Sequence, residues 1–405
     1  MKKDTTDKTT DDIKNIKKRE RTIFISGIFF CLLCLALLFS ILTLYWRFSG
    51  TNRYFKIAVI NNMLNKYYAG DIDQKEVEDG LYYGMVLNST DRYSTYYSAE
   101  SYARSKEVTE GNYVGIGIQL SYEDDNMKVA SVYSNSPADK AGIKKDDIIT
   151  KVEGEPVNMD KKTEVVEKIR GKEGTSVVLT VLSGTEEKDV SVTRESIDVP
   201  TVAGDMLDKN VGYIILRNFE NVTPGQYQQV YESLEKKGMK KLILDLRDNG
   251  GGLVTSVTTI ADSIIPKGTI TYTEDKKGKK EYIESDEKEI NIPIIVLVNE
   301  NTASASEMLS ACIQDYNKGK ILGVKTYGKG VVQSTYELGD GSALKITTAK
   351  YYTPKGICID GIGISPDIEV ENNEDYKLPT LINNVAPYDI NEDRQLKRAL
   401  EEINK

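Results

Sequence analysis

Apolar and polar positions divide the chain into stretches of different character. From Ile23 to Trp46 the sequence is almost wholly apolar and uncharged, long enough to cross a bilayer. Tyr45 and Trp46 stand at its far edge, where amphipathic rings suit the water–lipid boundary. Apolar residues then recur at helical spacing (Ile57, Ile60, Met63, Leu64, later Val77, Leu81, Met85), so Tyr54–Glu110 reads as helical, tyrosine-rich at Tyr93–Tyr102. Val114–Ile197 is strand-like and turn-rich. Beyond it strands at Val211–Leu216, Lys241–Leu246, Ile292–Val298 and Lys320–Val324 alternate with helices at Thr223–Lys237, Leu253–Ile264 and Ser304–Tyr316. Such alternation predicts an α/β core. No internal repeat of useful period is evident.

The flank before the apolar run carries Lys14, Lys17, Lys18, Arg19 and Arg21, whereas Arg47, Arg53 and Lys56 are scattered after it. The positive-inside bias therefore predicts a single-pass cell-membrane anchor with a cytoplasmic N-terminus and everything after Arg47 extracytoplasmic. A cleaved signal peptide would also be apolar, but this run is long and lacks an A-x-A site, which favours an uncleaved anchor. A lipoprotein reading of Cys34 is poor, because Leu33 precedes it and more apolar sequence follows.

Composition sharpens the chemistry. The chain has 405 residues, too many for one ordinary domain, and no histidine at all. That excludes Ser-His-Asp and Cys-His catalysis, His-ligated zinc and any imidazole acid–base step. A net charge of -9 without a basic stripe argues against a nucleic-acid partner. The cysteines show no metal spacing, and no metal or other cofactor is expected; Cys312 and Cys358 read equally well as a disulfide or as two buried thiols.

Within the strand-rich stretch, Tyr113-Val-Gly115-Ile116-Gly117-Ile118 alternates glycine and aliphatic residues. Backbone N–H groups of Gly115, Ile116, Gly117 and Ile118 are then candidates to capture a chain-terminal carboxylate, with an edge strand to pair with an extended peptide. Alone the pattern is weak, since glycine in a strand also marks a bulge. Ser136-Pro-Ala138, Ala141-Gly-Ile143, Asp147-x-Ile149, Val152-Glu-Gly154, Arg170-Gly171 and Gly174-Thr175 follow in order, and together they resemble a PDZ domain of the bacterial protease kind. Asp146 departs from the glycine usual in one turn of that module.

Ser304, in Asn301-Thr-Ala-Ser304-Ala-Ser306-Glu307-Met, follows a buried strand and opens an amphipathic helix, whose free N–H groups favour developing negative charge. Ser304 with Glu307 also fits an S-x-x-E capping box, and taken alone the segment favours the cap. Thr326-Tyr-Gly328-Lys329-Gly330-Val-Val-Gln333 changes the balance: without histidine, a desolvated lysine is the best available base for a serine hydroxyl. Acting near neutrality requires its pKa to fall by roughly three units from about 10.4. If Val331–Leu338 is a strand, the Gln333 amide can hold Lys329 in place. A P-loop at Gly323-x4-Gly328-Lys329 is rejected, because Gly330 stands where Ser or Thr would hold magnesium and strand rather than helix follows. Asp245-Leu-Arg247-Asp-Asn249-Gly-Gly251-Gly252 ends an apolar strand with consecutive glycines, which suits an oxyanion hole but also a phosphate site or a plain turn.

These motifs in this order, with Tyr352-Thr-Pro354-x-Gly356, Ile359-Asp-Gly361 and Gly363-Ile-x-Pro366-Asp367 after them, resemble the carboxyl-terminal processing (tail-specific) serine peptidases from about Tyr54 to Val370. The resemblance implies Ser304, not Ser306, as nucleophile, Lys329 as base, Gln333 as its orienting partner, and the N–H groups of Gly251 and Ala305 as oxyanion donors. Gly250 and Thr302 depart from the pattern without removing a side chain the chemistry needs. The expected architecture is multidomain: a cytoplasmic tail (1–22), a transmembrane anchor (23–46), an N-terminal helical region (47–110), a PDZ β-rich domain (111–198), an α/β peptidase core with crotonase-like ββα elements (199–370) and a C-terminal segment (371–405). The implied function is a serine endopeptidase acting on extracytoplasmic proteins, with the PDZ module recognising substrate C-termini and gating activity. The competing class is a membrane-tethered PDZ scaffold with an inert core, against which intact Ser304, Lys329 and Gln333 speak. Asn65–Ser101 and the charged tail Asp389–Lys405 read either as surfaces for a homodimer or regulatory protein, or as solvated surface.

Overall fold

The computed structural model describes residues 5–48, 53–123, 125–286, 288–373, 376–378 and 388–405. The start of the expected cytoplasmic tail, the stretch 49–52, and residues 374–375 and 379–387 of the C-terminal segment lie outside the described residues. The chain divides into two units, Met1–Gly80 and Leu81–Lys405.

In the first unit, α1 (Thr5–Phe48) contains Ile16–Tyr45, a stretch long and apolar enough to cross a membrane and not buried by protein. It is followed by α2 (Arg53–Tyr67) and the start of α3 (Gln74–Leu87). Asn61, Asn65 and Gln74 join these two helices by side-chain hydrogen bonds of 3.0–3.1 Å.

In the second unit the expectation of helix through to Glu110 fails at one place. After α3, Asp91 Oδ1 accepts the N–H groups of Tyr93 and Ser94 and the Ser94 hydroxyl, closing a turn that ends the helical path. Thr95–Tyr97, rich in β-forming residues, then becomes β1 before α4 (Ala99–Glu110). Ser98 caps α4 and Gly111 ends it in a left-handed conformation.

The β-rich region begins with β2 (Asn112–Gly115), β3 (Ile118–Glu123), β4 (Asn126–Val132), the short α5 (Pro137–Lys140) and β5 (Ile148–Val152). It continues through β6 (Glu155–Pro156), α6 (Lys162–Ile169), β7 (Ser176–Ser183), β8 (Glu186–Thr193) and β9 (Glu195–Asp198). The sheet order is β3-β4-β5-β7-β8, which leaves β3 at an edge, and β2 pairs with β9. Asp146 takes the backbone conformation a glycine would, with φ of 73°, and its carboxylate meets Lys128 at 2.8 Å.

The core continues through β10 (Val202–Met206), β11 (Val211–Leu216), α7 (Thr223–Lys236), β12 (Lys241–Asp245), α8 (Val254–Ile264), β13 (Gly268–Asp275) and β14 (Lys280–Ser285). It closes with β15 (Ile294–Val298), α9 (Ala305–Asp315), β16 (Gly319–Gly323), β17 (Val331–Glu337), β18 (Ala343–Tyr352), β19 (Ile368–Glu369) and α10 (Arg394–Ile403). One sheet runs β10-β11-β12-β15-β16-β19, parallel from β11 onward. Its central strands are unbroken apolar runs because helices cover both faces. On one face Leu242, Leu244, Val296 and Val298 pack with α7, α8 and α9; each such burial contributes roughly 1.5–3 kcal/mol. On the other, Tyr213, Ile243, Ile295 and Leu297 pack against Leu396, Ala399 and Ile403 of α10. The tail helix is thus part of the core; its charged positions face outward, and its apolar stripe is already covered within the chain. A second sheet runs β1-β18-β13-β14, with β17 paired to β18. Cys312 and Cys358 are free thiols, and burial pushes that of Cys312 up to about 12.

Candidate active site

Ser304 lies between the carboxyl end of β15 and the first turn of α9, with φ 56° and ψ −116°. An ordinary capping residue adopts extended backbone angles. A positive φ on serine is instead the strained geometry of a side chain pushed out of a strand-to-helix turn. Ser306 is fully buried and donates its hydroxyl to Asn249 O at 2.9 Å, whereas Ser304 is half-buried and lines a cavity of about 510 Å³. Gly251, Ala305, Lys329 and Gln333 line the same cavity.

Glu307 organises this place. Its fully buried carboxylate accepts from Ser304 N (2.8 Å), Lys329 N (2.9 Å), Gly328 N (2.7 Å) and Thr326 Oγ1 (2.6 Å). The carboxylate half of the capping box is therefore real, and the same group also ties the glycine–lysine–glycine loop to the turn that carries Ser304. Gly330 is needed there, since a Cβ would meet Asp360 N at 2.3 Å. Tyr351, held well above the ordinary phenol range by burial and by the Glu307 carboxylate, donates its hydroxyl to Ser304 O at 2.9 Å.

Lys329 is half-buried, and that burial, with the charge of Lys345, holds its amine below the ordinary lysine range; Asp91 and Glu307 oppose the shift. Among the described residues no hydrogen bond joins Lys329 Nζ to Ser304. The amine lies 4.8 Å from the centroid of the Tyr93 ring. Two of the expected site groups have other partners in this arrangement. The Gln333 amide N–H donates to Thr347 Oγ1 at 3.1 Å, where β18 carries a bulge opposite Val332 and Gln333, and among the described residues no hydrogen bond joins Gln333 to Lys329. The Gly251 N–H is taken by Asn249 Oδ1 at 2.9 Å, because the Asn249 amide, fixed by donating to Leu216 O, turns its oxygen onto the residue two further on. Gly251 itself sits where expected: a Cβ would meet Ser304 Cβ at 2.8 Å and Ala305 N at 2.9 Å. Ala305 opens α9, where a backbone N–H has no intrahelical acceptor.

Residues 210–370 match the model of peptidase family S41, and residues 128–183 match a PDZ domain. A probable CtpA-like serine protease of Staphylococcus aureus (strain COL) is 38% identical over 342 residues, 84% of this chain and 68% of the relative. The chain belongs to peptidase family S41. A probable CtpA-like serine protease of Staphylococcus epidermidis is 35% identical over 346 residues, 84% of this chain and 70% of its own. A solved structure from Bacteroides fragilis assigned to the S41 proteases shares the fold, with TM-score 0.53 and 16% identity over 83% of this chain and 92% of that one. The chain is thus a serine peptidase with a PDZ domain.

In this S41 peptidase the PDZ groove has about 210 Å³ between edge strand β3 and helix α6. Gly115, Ile116, Ile118, Leu120 and Tyr122 line one side, and Val166, Ile169 and Arg170 the other. Gly117 does not line it; its carbonyl accepts Tyr133 N at 2.9 Å. Ile116 is 2% exposed and belongs to the domain's apolar core. Arg170 reaches Glu107 of α4 at 3.2 Å, and Ser105, Val108 and Thr109 of α4 line the catalytic cavity. Sequence reading missed Tyr93, Asn249, the wider role of Glu307 and Tyr351. Glu307 and Asn249 lay in quoted motifs, whereas Tyr93 and Tyr351 are ordinary residues whose partners are distant in sequence.

Proposed function

We propose that this peptidase cleaves extracytoplasmic proteins with Ser304 as nucleophile and Lys329 as general base, oriented by Gln333 once its amide leaves Thr347. The observation that carries the reading is the shared carboxylate oxygen of Glu307, which accepts the N–H groups of Ser304 and Lys329 and so keeps their backbones adjacent at one cavity. Neutral Lys329 takes the Ser304 hydroxyl proton as Oγ adds to the peptide carbonyl. The oxyanion is held by Ala305 N–H, and by Gly251 N–H once Asn249 releases it. Lys329 returns the proton to the leaving amine, then takes one from water, which hydrolyses the acyl-enzyme.

Substrate C-termini enter the PDZ groove by adding a strand to β3, and occupancy there gates the site. What supports the gating is the Arg170–Glu107 pair. An exposed pair of this kind contributes about 0–1 kcal/mol, so a peptide carboxylate can displace it and free α4 beside the cavity. The basic flank before Ile23 supports an N-terminus in the cytoplasm and a catalytic part outside.

The test is cleavage of an unfolded protein by the detergent-solubilised full chain beside Ser304→Ala and Lys329→Ala. Loss of at least about 10³-fold is expected for each. Equal activity in all three ends the reading, and deletion of residues 111–198 without change in rate or substrate choice ends the gating.

A further inference from the structure

Tyr93 comes from the turn before β1, far in sequence from the family's catalytic motifs, and the Lys329 amine lies over its ring, 4.8 Å from the centroid. We propose that Tyr93 is a positioning residue that parks Lys329 as an ammonium off the Ser304 hydroxyl, so that its ring face sets the fraction of enzyme whose base is available. This rests on the Ser304–Lys329 reading and deepens it.

The ring is held firmly. Asp91 Oδ1 accepts Tyr93 N at 3.0 Å and Ser94 N at 2.9 Å. Thr347 N in turn donates to Ser94 Oγ at 3.0 Å, and β1 pairs Thr95 with Lys345. The turn is thus bolted to β18 beside the cavity. Thr347 is also the residue whose hydroxyl takes the Gln333 amide, so one turn touches the parking of both the base and its helper.

An aromatic face attracts an ammonium through its quadrupole and gives a neutral amine nothing comparable. Catalysis needs the neutral amine, so the ring contact opposes the reactive form. The other groups facing Lys329 divide: Lys345 on β18 favours the neutral amine, while Asp91 in the turn and Glu307 on α9 favour the ammonium. Arg92 shares the ring, its guanidinium 5.0 Å from the Tyr93 centroid and 5.2 Å from that of Tyr327. Removing the Tyr93 ring while keeping apolar cover therefore lowers the pKa of Lys329, frees the amine and raises activity near neutrality.

The experiment measures kcat/KM against pH for full-length wild type, Tyr93→Leu and Tyr93→Phe in detergent, on a quenched fluorogenic peptide. Tyr93→Leu is expected to be about three- to tenfold faster near neutral pH, with the acidic limb moved down by about half a unit to one unit. Tyr93→Phe, which keeps the ring face, is expected to follow wild type. A Tyr93→Leu enzyme that is no faster, or whose limb is unmoved, overturns the proposal, as does a Tyr93→Phe enzyme that behaves like Tyr93→Leu. Should Tyr93→Leu fold poorly, pentafluorophenylalanine at position 93 keeps the shape and inverts the quadrupole; it is expected to behave as Tyr93→Leu should, and a wild-type profile overturns the proposal. Ser304→Ala and Lys329→Ala run alongside. If they stay active the dyad itself fails; if they are dead and the Tyr93 variants follow wild type, only the parking fails.

Discussion

Two buried polar clusters lie at the carboxyl ends of two neighbouring strands of the same parallel sheet, and they are completed to different degrees. After β12, all five guanidinium donors of Arg247 are used, on Asp245, Asp393 and Gln395, and Tyr213 adds a 2.6 Å bond to Asp245. Burial alone would raise the Asp245 carboxyl, yet the adjacent Arg247 holds it below its ordinary value. That cluster fastens α10 to the sheet and leaves nothing to offer a ligand. After β15, the cluster around Glu307 is saturated only at the carboxylate. Ser304 has a strained backbone, Lys329 rests on an aromatic ring, and Ala305 N–H has no helical acceptor. Both clusters arise from the motifs that carry the family resemblance. Complete hydrogen bonding marks the one that builds, and incomplete bonding with local strain marks the one that reacts.

Breaking the first cluster has the largest expected effect. Arg247→Met strands two buried carboxylates, Asp245 and Asp393, and is expected to cost about 3–5 kcal/mol of stability, read as a lowered melting temperature and urea midpoint. Gly251→Ala attacks the second cluster: the added Cβ at φ 102° presses on Ser304 and the Ala305 N–H, so kcat is expected to fall about 10²–10³-fold, with stability lowered by about 1 kcal/mol or more through the strained backbone. Glu307→Gln keeps the shape but discharges the acceptor shared by Ser304 and Lys329, and about 1.5–3 kcal/mol of transition-state stabilisation should go, seen as a roughly ten- to hundredfold drop in kcat/KM. The smallest effect sharpens the electrostatics. Lys345 pushes Lys329 toward its neutral form, so Lys345→Met raises the Lys329 pKa and moves the acidic limb of the pH–rate profile upward, by less than about one unit. A downward movement contradicts the assignment of Lys329 as base.

Much of this was legible beforehand. The buried parallel strands announced themselves as short apolar runs such as Leu242–Leu244, and the absence of histidine made a desolvated lysine the best available base for a serine hydroxyl. Strand β1 was hidden because Thr95-Tyr-Tyr97 follows two helices and pairs with Ala343–Lys345, a partner no local pattern reveals. The tail helix reads from sequence as a docking or a solvated surface because its apolar stripe is short, Leu396, Ala399, Leu400 and Ile403, and only the opposing sheet face gives that stripe meaning. Asn249 stands in the quoted strand-end motif without a role of its own, although its side chain decides whether Gly251 N–H is available.

Residue types and spacing determined the fold class, the membrane-length helix and the set of groups able to do acyl transfer, because periodicity and side-chain chemistry are local properties. Tertiary structure alone decided that Ser304 adopts a positive φ while Ser306 is sealed, that Glu307 serves two motifs at once, and that Lys329 faces Tyr93. Each depends on a distance between segments far apart in the chain, and that distance is set by packing rather than by any neighbouring residue.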